Sequence, residues 1–131
     1  MGNRAVITIR DNLKNRDDWQ SIYLHWNGGY DTVKPALDLA KEYGVRCEQE
    51  YGIARLAQIF GNFFGGTLSL GVGRYSELDT DNGDNGVYIV GNDWEIVERQ
   101  FKQEEEQNYH DYDNMIKAFK KSNDKVFLKD D

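Results

Sequence analysis

Hydrophobic and polar residues alternate in short stretches of the chain, and this period of two is typical of strands with one buried face. The alternation runs through residues 21–26 (SIYLHW) and through residues 67–75 (TLSLGVGRY). Shorter stretches rich in β-branched or apolar residues lie at 4–9, 87–90 and 94–98, and they also favour strands. The pattern therefore predicts five strands.

Apolar residues three and four positions apart, the spacing of an amphipathic helix, occur in three other parts of the chain. The first such part predicts a helix from Asp31 or Thr32 to about Tyr43, and the second predicts a helix over residues 51–64. The apolar stripe of this second helix consists of Ile53, Leu56, Ala57, Phe60, Phe63 and Phe64. A third helix is predicted near the C-terminus, with an apolar face formed by Tyr112, Met115, Ile116 and Phe119.

The predicted order β β α α β β β α favours an α+β fold, because helices and strands do not alternate one for one. We expect a mainly antiparallel sheet of about five strands with two helices packed on one face, and a C-terminal amphipathic helix. Between the third and fourth strands, residues 77–86 (ELDTDNGDNG) carry turn-forming Asn-Gly pairs and predict a long-tipped hairpin. The composition changes after residue 98, which predicts one domain over 1–98 and a charged extension with a short amphipathic helix over 99–131.

The overall composition excludes several classes of protein. Of the 131 residues, 39% are hydrophobic and 13% are aromatic, which is too many for a disordered chain. The net charge of −7 is unfavourable for binding nucleic-acid phosphates, and the single cysteine, Cys47, excludes a disulfide framework and a cysteine-rich zinc site. No apolar run approaches the roughly 20 residues that span a bilayer, and no signal-peptide pattern is seen. We therefore expect a cytoplasmic protein that binds neither membranes nor nucleic acid directly.

The negative charge is concentrated in residues 77–98, which contain seven acidic residues and no lysine or arginine. The parts of the chain before and after this segment have formal charges of +1 and −1. One interpretation is a solvated hairpin with a charged tip. The other is a recognition surface for a basic protein partner, because clustered like charges steer association.

The first candidate site is the turn His25-Trp26-Asn27-Gly28-Gly29, which lies between a predicted strand and a predicted helix. Backbone N–H groups at the start of a helix can hold an anion, and histidine side chains exchange protons near neutral pH. Two adjacent glycines do not make a phosphate-binding pattern by themselves, so a tight strand-to-helix turn is the alternative interpretation.

The second candidate site is a cluster of oxygen-bearing side chains of the kind that divalent cations prefer. Its members are Asp79, Asp81, Asn82, Asp84 and Asn85. Counted from Asp79, however, the fifth, sixth and twelfth positions are Gly83, Asp84 and Val90, where an EF-hand needs Asp or Asn, Gly and Glu. The EF-hand pattern therefore fails, and a polar turn or a part of the surface that binds a partner is expected. An irregular site for a divalent cation is the remaining alternative.

The third candidate is Arg55 on the second predicted helix. Its guanidinium could pair with Asp31 or with the phosphate or carboxylate of a ligand. Asn62 follows seven residues later on the same side of the helix, so the two side chains could line one patch. An ordinary surface salt bridge of Arg55 is the alternative.

The sequence favours a protein without catalytic activity and without a cofactor. No P-loop, zinc-binding spacing or nucleophile elbow occurs in it. Cys47 lies next to acidic residues, which raise rather than lower the pKa of a thiol. The two histidines, His25 and His110, are far apart in the sequence.

Several segments together resemble a family of small, largely uncharacterised proteins of bacteria, their phages and other mobile elements. The segments are NRAVITI, IYLHWNGGYDTV, YGIARLAQIFGNFFGG, LSLGVG and LDTDNGDNGVYIV, and the resemblance covers residues 3–98. The most distinctive shared motifs are IYLHWNGG and LDxDNGDNGVYIV. The resemblance implies no catalytic residue, but it raises the expectation of an interaction with a host protein, such as inhibition of a defence system.

We therefore expect a non-catalytic binding protein of phage or mobile-element type. Its acidic hairpin at 77–98 and the His25–Gly29 turn would form a surface that recognises a protein partner, such as a host defence or nucleic-acid-binding protein. The alternative is a pocket for a small anionic ligand such as a nucleotide, formed by the His25–Gly29 turn and Arg55.

Overall fold

The computed structural model describes residues 3–66, 69–103 and 110–128, and it contains a five-stranded sheet and three helices. The strands are β1 (Ala5–Ile9), β2 (Gln20–Leu24), β3 (Leu70–Arg74), β4 (Val87–Val90) and β5 (Ile96–Gln100). The helices are α1 (Tyr30–Glu42), α2 (Gln49–Phe64) and α3 (Tyr112–Phe127). The predicted order of elements and the α+β class are confirmed. The first two residues of the strand predicted at 67–75 lie outside the described residues.

The strands lie in the order β3-β2-β1-β4-β5. Three of the neighbouring pairs are antiparallel, and the central pair, β1 with β4, is parallel with Ile7 opposite Tyr88. The prediction of a mainly antiparallel sheet is therefore confirmed. The parallel central pair could not be predicted from the alternation of residues, which does not say which strands are neighbours.

The predicted hairpin between the third and fourth strands is wrong, because β2 and β1 lie between β3 and β4. Residues 75–86 instead form a crossover connection between two strands that run in the same direction. We call residues 75–86 the crossover segment. Its turn-forming residues resemble a hairpin loop in sequence because the backbone must also turn sharply before it enters β4.

The main core lies between the helices and one face of the sheet. Ile7, Ile22 and Tyr88, which are register partners or lie on neighbouring strands, are fully buried on this face. The helices cover them with the fully buried side chains of Leu37, Leu39, Leu56, Ile59, Phe60 and Phe119. This apolar layer is the principal source of stability, at about 25 cal/mol for each Å² of apolar surface buried.

The C-terminal helix shares this core. Phe119 is fully buried, and its ring packs edge-on against Phe60 of α2 at 5.6 Å between ring centroids. Asp111 caps the N-terminus of α3 by accepting a hydrogen bond from the backbone N–H of Asn114 at 3.1 Å. The predicted helix is thus present, and it packs against α1 and α2 as part of the same layer. The residues of the charged extension at 104–109 and 129–131 lie outside the described residues.

The opposite face of the sheet has a smaller core. The crossover segment and a short 3-10 turn at Arg16–Asp18 cover it, and the buried residues there are Val6, Trp19, Tyr75, Val87 and Ile89. Gly73 permits close packing here, because a Cβ at this position would lie 3.2 Å from the side chain of Leu78. We call this face, with the turn and the crossover segment that cover it, the crossover face.

Among the residues that the structure describes, no helix is both long enough and apolar enough to cross a membrane.

Candidate functional site

The Asn-rich part of the crossover segment is an internal turn. Asn82 is only 3% exposed, and its side-chain oxygen accepts hydrogen bonds from the backbone N–H groups of Asp84 and Gly86, both at 3.0 Å. Its side-chain nitrogen donates to the carbonyl oxygens of Asp79 at 3.0 Å and Gly86 at 3.3 Å. Asn82 therefore holds the turn that leads into β4.

Asp84 and Asn85 tie this turn to the start of β1. The carboxylate of Asp84 accepts hydrogen bonds from the backbone N–H of Arg4 at 3.2 Å and from its guanidinium Nε at 2.7 Å. This contact with Asp84 raises the pKa of Arg4. Asn85 donates from its side chain to the carbonyl oxygen of Arg4 at 3.0 Å and to the side chain of Asn3 at 2.6 Å.

These contacts divide the predicted cluster into two groups. Asn82, Asp84 and Asn85 are buried and structural, whereas Asp79 and Asp81 are exposed. No group of three or more potential metal ligands occurs among the described residues. The cluster is therefore a turn whose outer carboxylates alone can meet a partner.

The glycines of the His25–Gly29 turn have a structural role. A Cβ on Gly28 would lie 2.6 Å from the carbonyl oxygen of Asn3 and 2.7 Å from the Cβ of Ala5. Gly28 also donates its N–H to Asn3 at 2.8 Å and accepts a hydrogen bond from the hydroxyl of Tyr88 at 2.8 Å. Asn27 turns the chain in the left-handed region with φ of 60°. The turn is closed against β1, so the requirement for glycine comes from packing.

Helix α1 begins at Tyr30, with Gly29 as N-cap and no side-chain cap. The sequence predicts a start at Asp31 or Thr32, so the helix begins one or two residues earlier than predicted. The carboxylate of Asp31 accepts a hydrogen bond from the backbone N–H of His110 at 2.6 Å. The start of α1 is thus joined to the segment that leads into α3.

His25 and Trp26 remain at the surface. The ring of Trp26 is 38% exposed and meets His25 edge-on, with ring centroids 4.9 Å apart. The hydroxyl of Tyr23 lies 3.0 Å from Nδ1 of His25. Tyr23 of β2 and His25, two residues later, lie on the same face of the sheet, the crossover face. Tyr23 packs against the smaller core there.

Tyr23 lies near both parts of the predicted recognition surface, the His25–Gly29 turn and the acidic segment that contains Asp79. Burial raises the pKa of its hydroxyl, the charge of Arg4 lowers it, and the charge of Asp79 raises it again. Tyr23 thus contacts His25 directly and is influenced by the charge of Asp79.

The crossover face carries an excess of negative charge because its carboxylates outnumber its arginines. Arg4 and Arg74 each pair with two carboxylates. The ion pairs are those of Arg4 with Asp84 at 2.7 Å and Asp79 at 3.7 Å, and of Arg74 with Asp18 at 3.1 Å and Glu77 at 3.0 Å. Three further carboxylates, those of Asp17, Asp81 and Glu98, make no ion pair within the described parts of the chain. The third arginine, Arg16, lies over the ring of Tyr75 at 5.2 Å. Seven carboxylates thus stand against three arginines.

Arg55 and Asn62 lie away from this face. Arg55 donates a hydrogen bond to Gln58 at 2.9 Å, one turn further along α2, and does not pair with Asp31. Asn62 donates to the side chain of Asn123 on α3 at 2.9 Å, so it joins two helices and does not line a patch with Arg55. Arg55 lines a cavity of about 700 Å³, and no residue of the His25–Gly29 turn lines it. The predicted pocket built from the turn and Arg55 is therefore not formed.

Sequence reasoning missed several residues of the crossover face and of the cavity. Arg4, Tyr23 and Arg74 shape the crossover face, and Arg46 and Tyr51 line the cavity with Arg55. Arg4 and Asp84 are 80 positions apart, and no local pattern marks such a pair. Tyr23 could have been found, because it alternates with His25 in the segment SIYLHW.

The single cysteine has the chemistry of a buried structural thiol. Cys47 is 7% exposed, and its Sγ–H donates to the carbonyl oxygen of Gly91 at 3.0 Å. Burial raises the pKa of the thiol to about 11. At neutral pH the thiolate is scarce, so Cys47 is a poor nucleophile.

Comparison of the chain with protein-family models, with curated proteins and with solved structures finds no match.

Proposed function

We propose that the protein is a non-catalytic binding protein that recognises a positively charged protein partner through its crossover face. The observation that carries this proposal is the sharing of Arg4 and Arg74 by two carboxylates each. On the crossover face, carboxylates outnumber arginines by four, which is more than half of the net charge of −7. Such a one-sided charge steers a basic partner toward this face and repels nucleic acid.

The proposed surface offers rings as well as charge. Tyr23 is influenced by the charges of Asp79 and Asp84, and its ring is followed by those of His25 and Trp26, of which Trp26 is 38% exposed. Aromatic residues are enriched among the positions that dominate binding energy at protein interfaces. In this proposal the rings supply contact area and the surrounding carboxylates supply orientation. The resemblance to phage and mobile-element proteins favours a bacterial host protein as the partner.

Charge reversal at Asp81 and Glu98 is the sharpest test. Both are exposed, and neither has an ion pair in the described parts of the chain, so Asp81→Lys/Glu98→Lys changes the field without breaking a contact with an arginine. Reversal at Asp84 would instead disrupt the buried contact with Arg4. The wild type and the variant are immobilised and exposed to a bacterial lysate, and bound proteins are eluted with increasing salt. We expect a salt-eluted partner to be bound by the wild type and lost by the variant.

The matched control is Glu42→Lys/Asp113→Lys, which reverses the same number of charges on the helical side of the protein. Asp113 is exposed in the first turn of α3, and Glu42 is exposed at the end of α1. Glu42 is paired with Lys120 at 3.3 Å, but a surface ion pair of this kind contributes little to stability. We expect this control to retain the partner at the same salt concentration. Equal loss in both variants would show that net charge alone matters, and equal retention in both would exclude the crossover face.

A further inference from the structure

The helical side of the protein contains a cavity of about 700 Å³ at the junction of the three helices. It is lined by the end of α1, the connection to α2, the first half of α2 and the end of α3. The side chains that define it are Tyr43, Arg46, Tyr51, Arg55 and Phe127. Cavities that bind small molecules measure about 300–1,000 Å³ and combine apolar walls with a few polar groups.

Two arginines, Arg46 and Arg55, line the cavity. Arg46 is paired with Glu48 at 3.1 Å. Arg55 makes a hydrogen bond only to the neutral Gln58 and has no carboxylate partner in the described parts of the chain. Glu50 also lines the cavity, but its carboxylate is paired with Lys14. The guanidinium of Arg55 therefore remains able to bind an anionic group by charge-assisted hydrogen bonds.

Aromatic rings form the other part of the lining. The rings of Tyr43 and Phe127 are stacked, 4.8 Å apart and inclined by 7°. The hydroxyl of Tyr43 donates to Asp124 at 2.6 Å, which fixes the ring between α1 and α3. Tyr51 is 54% exposed, and the guanidinium of Arg46 lies 3.9 Å from its ring centroid. Flat rings and a flat guanidinium of this kind stack with nucleobases.

We propose that this cavity is a binding site for a nucleoside monophosphate. The phosphate binds Arg55, and the base stacks against the platform of Arg46 and Tyr51. A ligand with an anionic group but no ring would contact only the arginines. A ligand with a ring but no anionic group would leave Arg55 without an anionic partner. The site is distinct from the crossover face, so it adds a ligand to the proposed protein-binding function.

Isothermal titration calorimetry with AMP, GMP, CMP and UMP tests the site, with adenosine and inorganic phosphate as the two half-ligands. We expect at least one monophosphate to bind with a Kd below about 1 mM. We expect each half-ligand to bind at least about tenfold more weakly, since each lacks either the charged hydrogen bonds or the stacking.

Two variants on the exposed side of α2 address the site in different ways. Arg55→Ala removes the phosphate ligand and should weaken binding at least about tenfold. Ala54→Phe places a ring in the cavity and should abolish binding. Circular dichroism shows whether each variant is folded. Lys117→Ala, which removes an exposed cation of α3 outside the cavity, is the matched control and should bind like the wild type.

The proposal is overturned if no monophosphate binds the wild type at millimolar concentration, or if folded Arg55→Ala and Ala54→Phe bind as well as the wild type does. Equal affinity for inorganic phosphate and for the monophosphates would also overturn it, because the base would then contribute nothing. The variant Asp81→Lys/Glu98→Lys should keep its nucleotide affinity. Loss of partner binding in that variant is therefore distinguishable from failure of the cavity proposal.

Discussion

At the scale of single residues, Asn82 is the most informative member of the Asx cluster. Its amide group makes four hydrogen bonds to backbone groups of the crossover segment and is 3% exposed. Asn82→Ala removes all four and leaves buried backbone groups without partners, so we expect a loss of about 3 kcal/mol in the free energy of unfolding. Urea denaturation followed by circular dichroism measures it.

Asp81→Ala is the control for this prediction, since Asp81 lies next to Asn82 and is exposed. Its effect should be within about 0.5 kcal/mol, as for most surface substitutions. If the two variants were equally stable, Asn82 would not hold the turn, and the division of the cluster into buried and exposed members would be incorrect.

The candidate site could be predicted only in part from the sequence. The segment SIYLHWNGG and the Asx cluster both contribute exposed side chains to the crossover face, as their types suggested. The burial of Asn82 and Asp84 could not be foreseen, because the local sequence of an exposed turn rich in Asn and Asp does not differ from that of a buried one. The turn is buried here through long-range contacts, such as that of Asp84 with Arg4, which is 80 positions away.

At the scale of elements, the hydrophobic period identified the three helices and all five strands, but not the neighbours of each strand. Period-two alternation shows which face of a strand is buried and leaves its partner open. β3 and β4 follow one another in sequence and are nevertheless separated by β2 and β1. The pairing depends on tertiary packing such as that of the smaller core, which includes Tyr75 of the crossover segment and Val87 of β4.

The packing of α3 gives a prediction about the folding unit. Phe119 is fully buried and contacts the rings of Phe60 and Phe63 on α2. Phe119→Ala should lower the free energy of unfolding by about 3–5 kcal/mol, the usual cost of such a cavity in a core. Because α3 shares the core, tryptophan fluorescence and far-ultraviolet circular dichroism should report one transition at the same urea concentration.

Leu128→Ala is the control at the end of the same helix, where the side chain is 61% exposed. It should change stability by no more than about 0.5 kcal/mol. Two separate transitions in Phe119→Ala, with only helical signal lost in the first, would mean that residues 1–98 form an independent domain and that α3 is an appendage.

At the scale of the whole molecule, the crossover face and the cavity lie on different sides of the sheet. The crossover face carries the shared arginines and the excess of carboxylates, while the cavity on the helical side is lined by Arg46, Arg55 and aromatic rings. The net charge alone would describe a uniformly acidic protein. The two proposed binding sites therefore lie apart, and a variant at one is expected to leave the other unchanged.

Two hydrogen bonds link α1 and α3, and in each a tyrosine of one helix donates to a carboxylate of the other. Tyr43, at the end of α1, donates to Asp124 of α3 at 2.6 Å, and Tyr112 of α3 donates to Asp38 of α1 at 2.7 Å. Burial and the neighbouring carboxylate raise the pKa of both hydroxyls, that of Tyr112 to about 12. In the unfolded chain a tyrosine titrates at a pKa of about 10.

This difference predicts a loss of stability at alkaline pH. Since both pKa values are raised in the folded state, the stabilisation by the two hydroxyls is fully present below about pH 10 and declines as the pH rises through 12. We expect the urea midpoint of the wild type to fall steeply between these values. Tyr43→Phe/Tyr112→Phe should be less stable at pH 8, where the hydrogen bonds are missing, but should lose less stability between pH 10 and 12.

Tyr30→Phe is the control, because Tyr30 is an exposed ring on α1 that does not join the two helices. Its midpoint should fall with pH as steeply as that of the wild type. Burial raises the pKa of Cys47 to about 11. Because Cys47 is present in all three proteins, its titration lowers the stability of each by the same amount. If the double variant lost stability as steeply as the wild type, the two tyrosine–carboxylate contacts would not be the groups that join α3 to the rest of the protein at high pH.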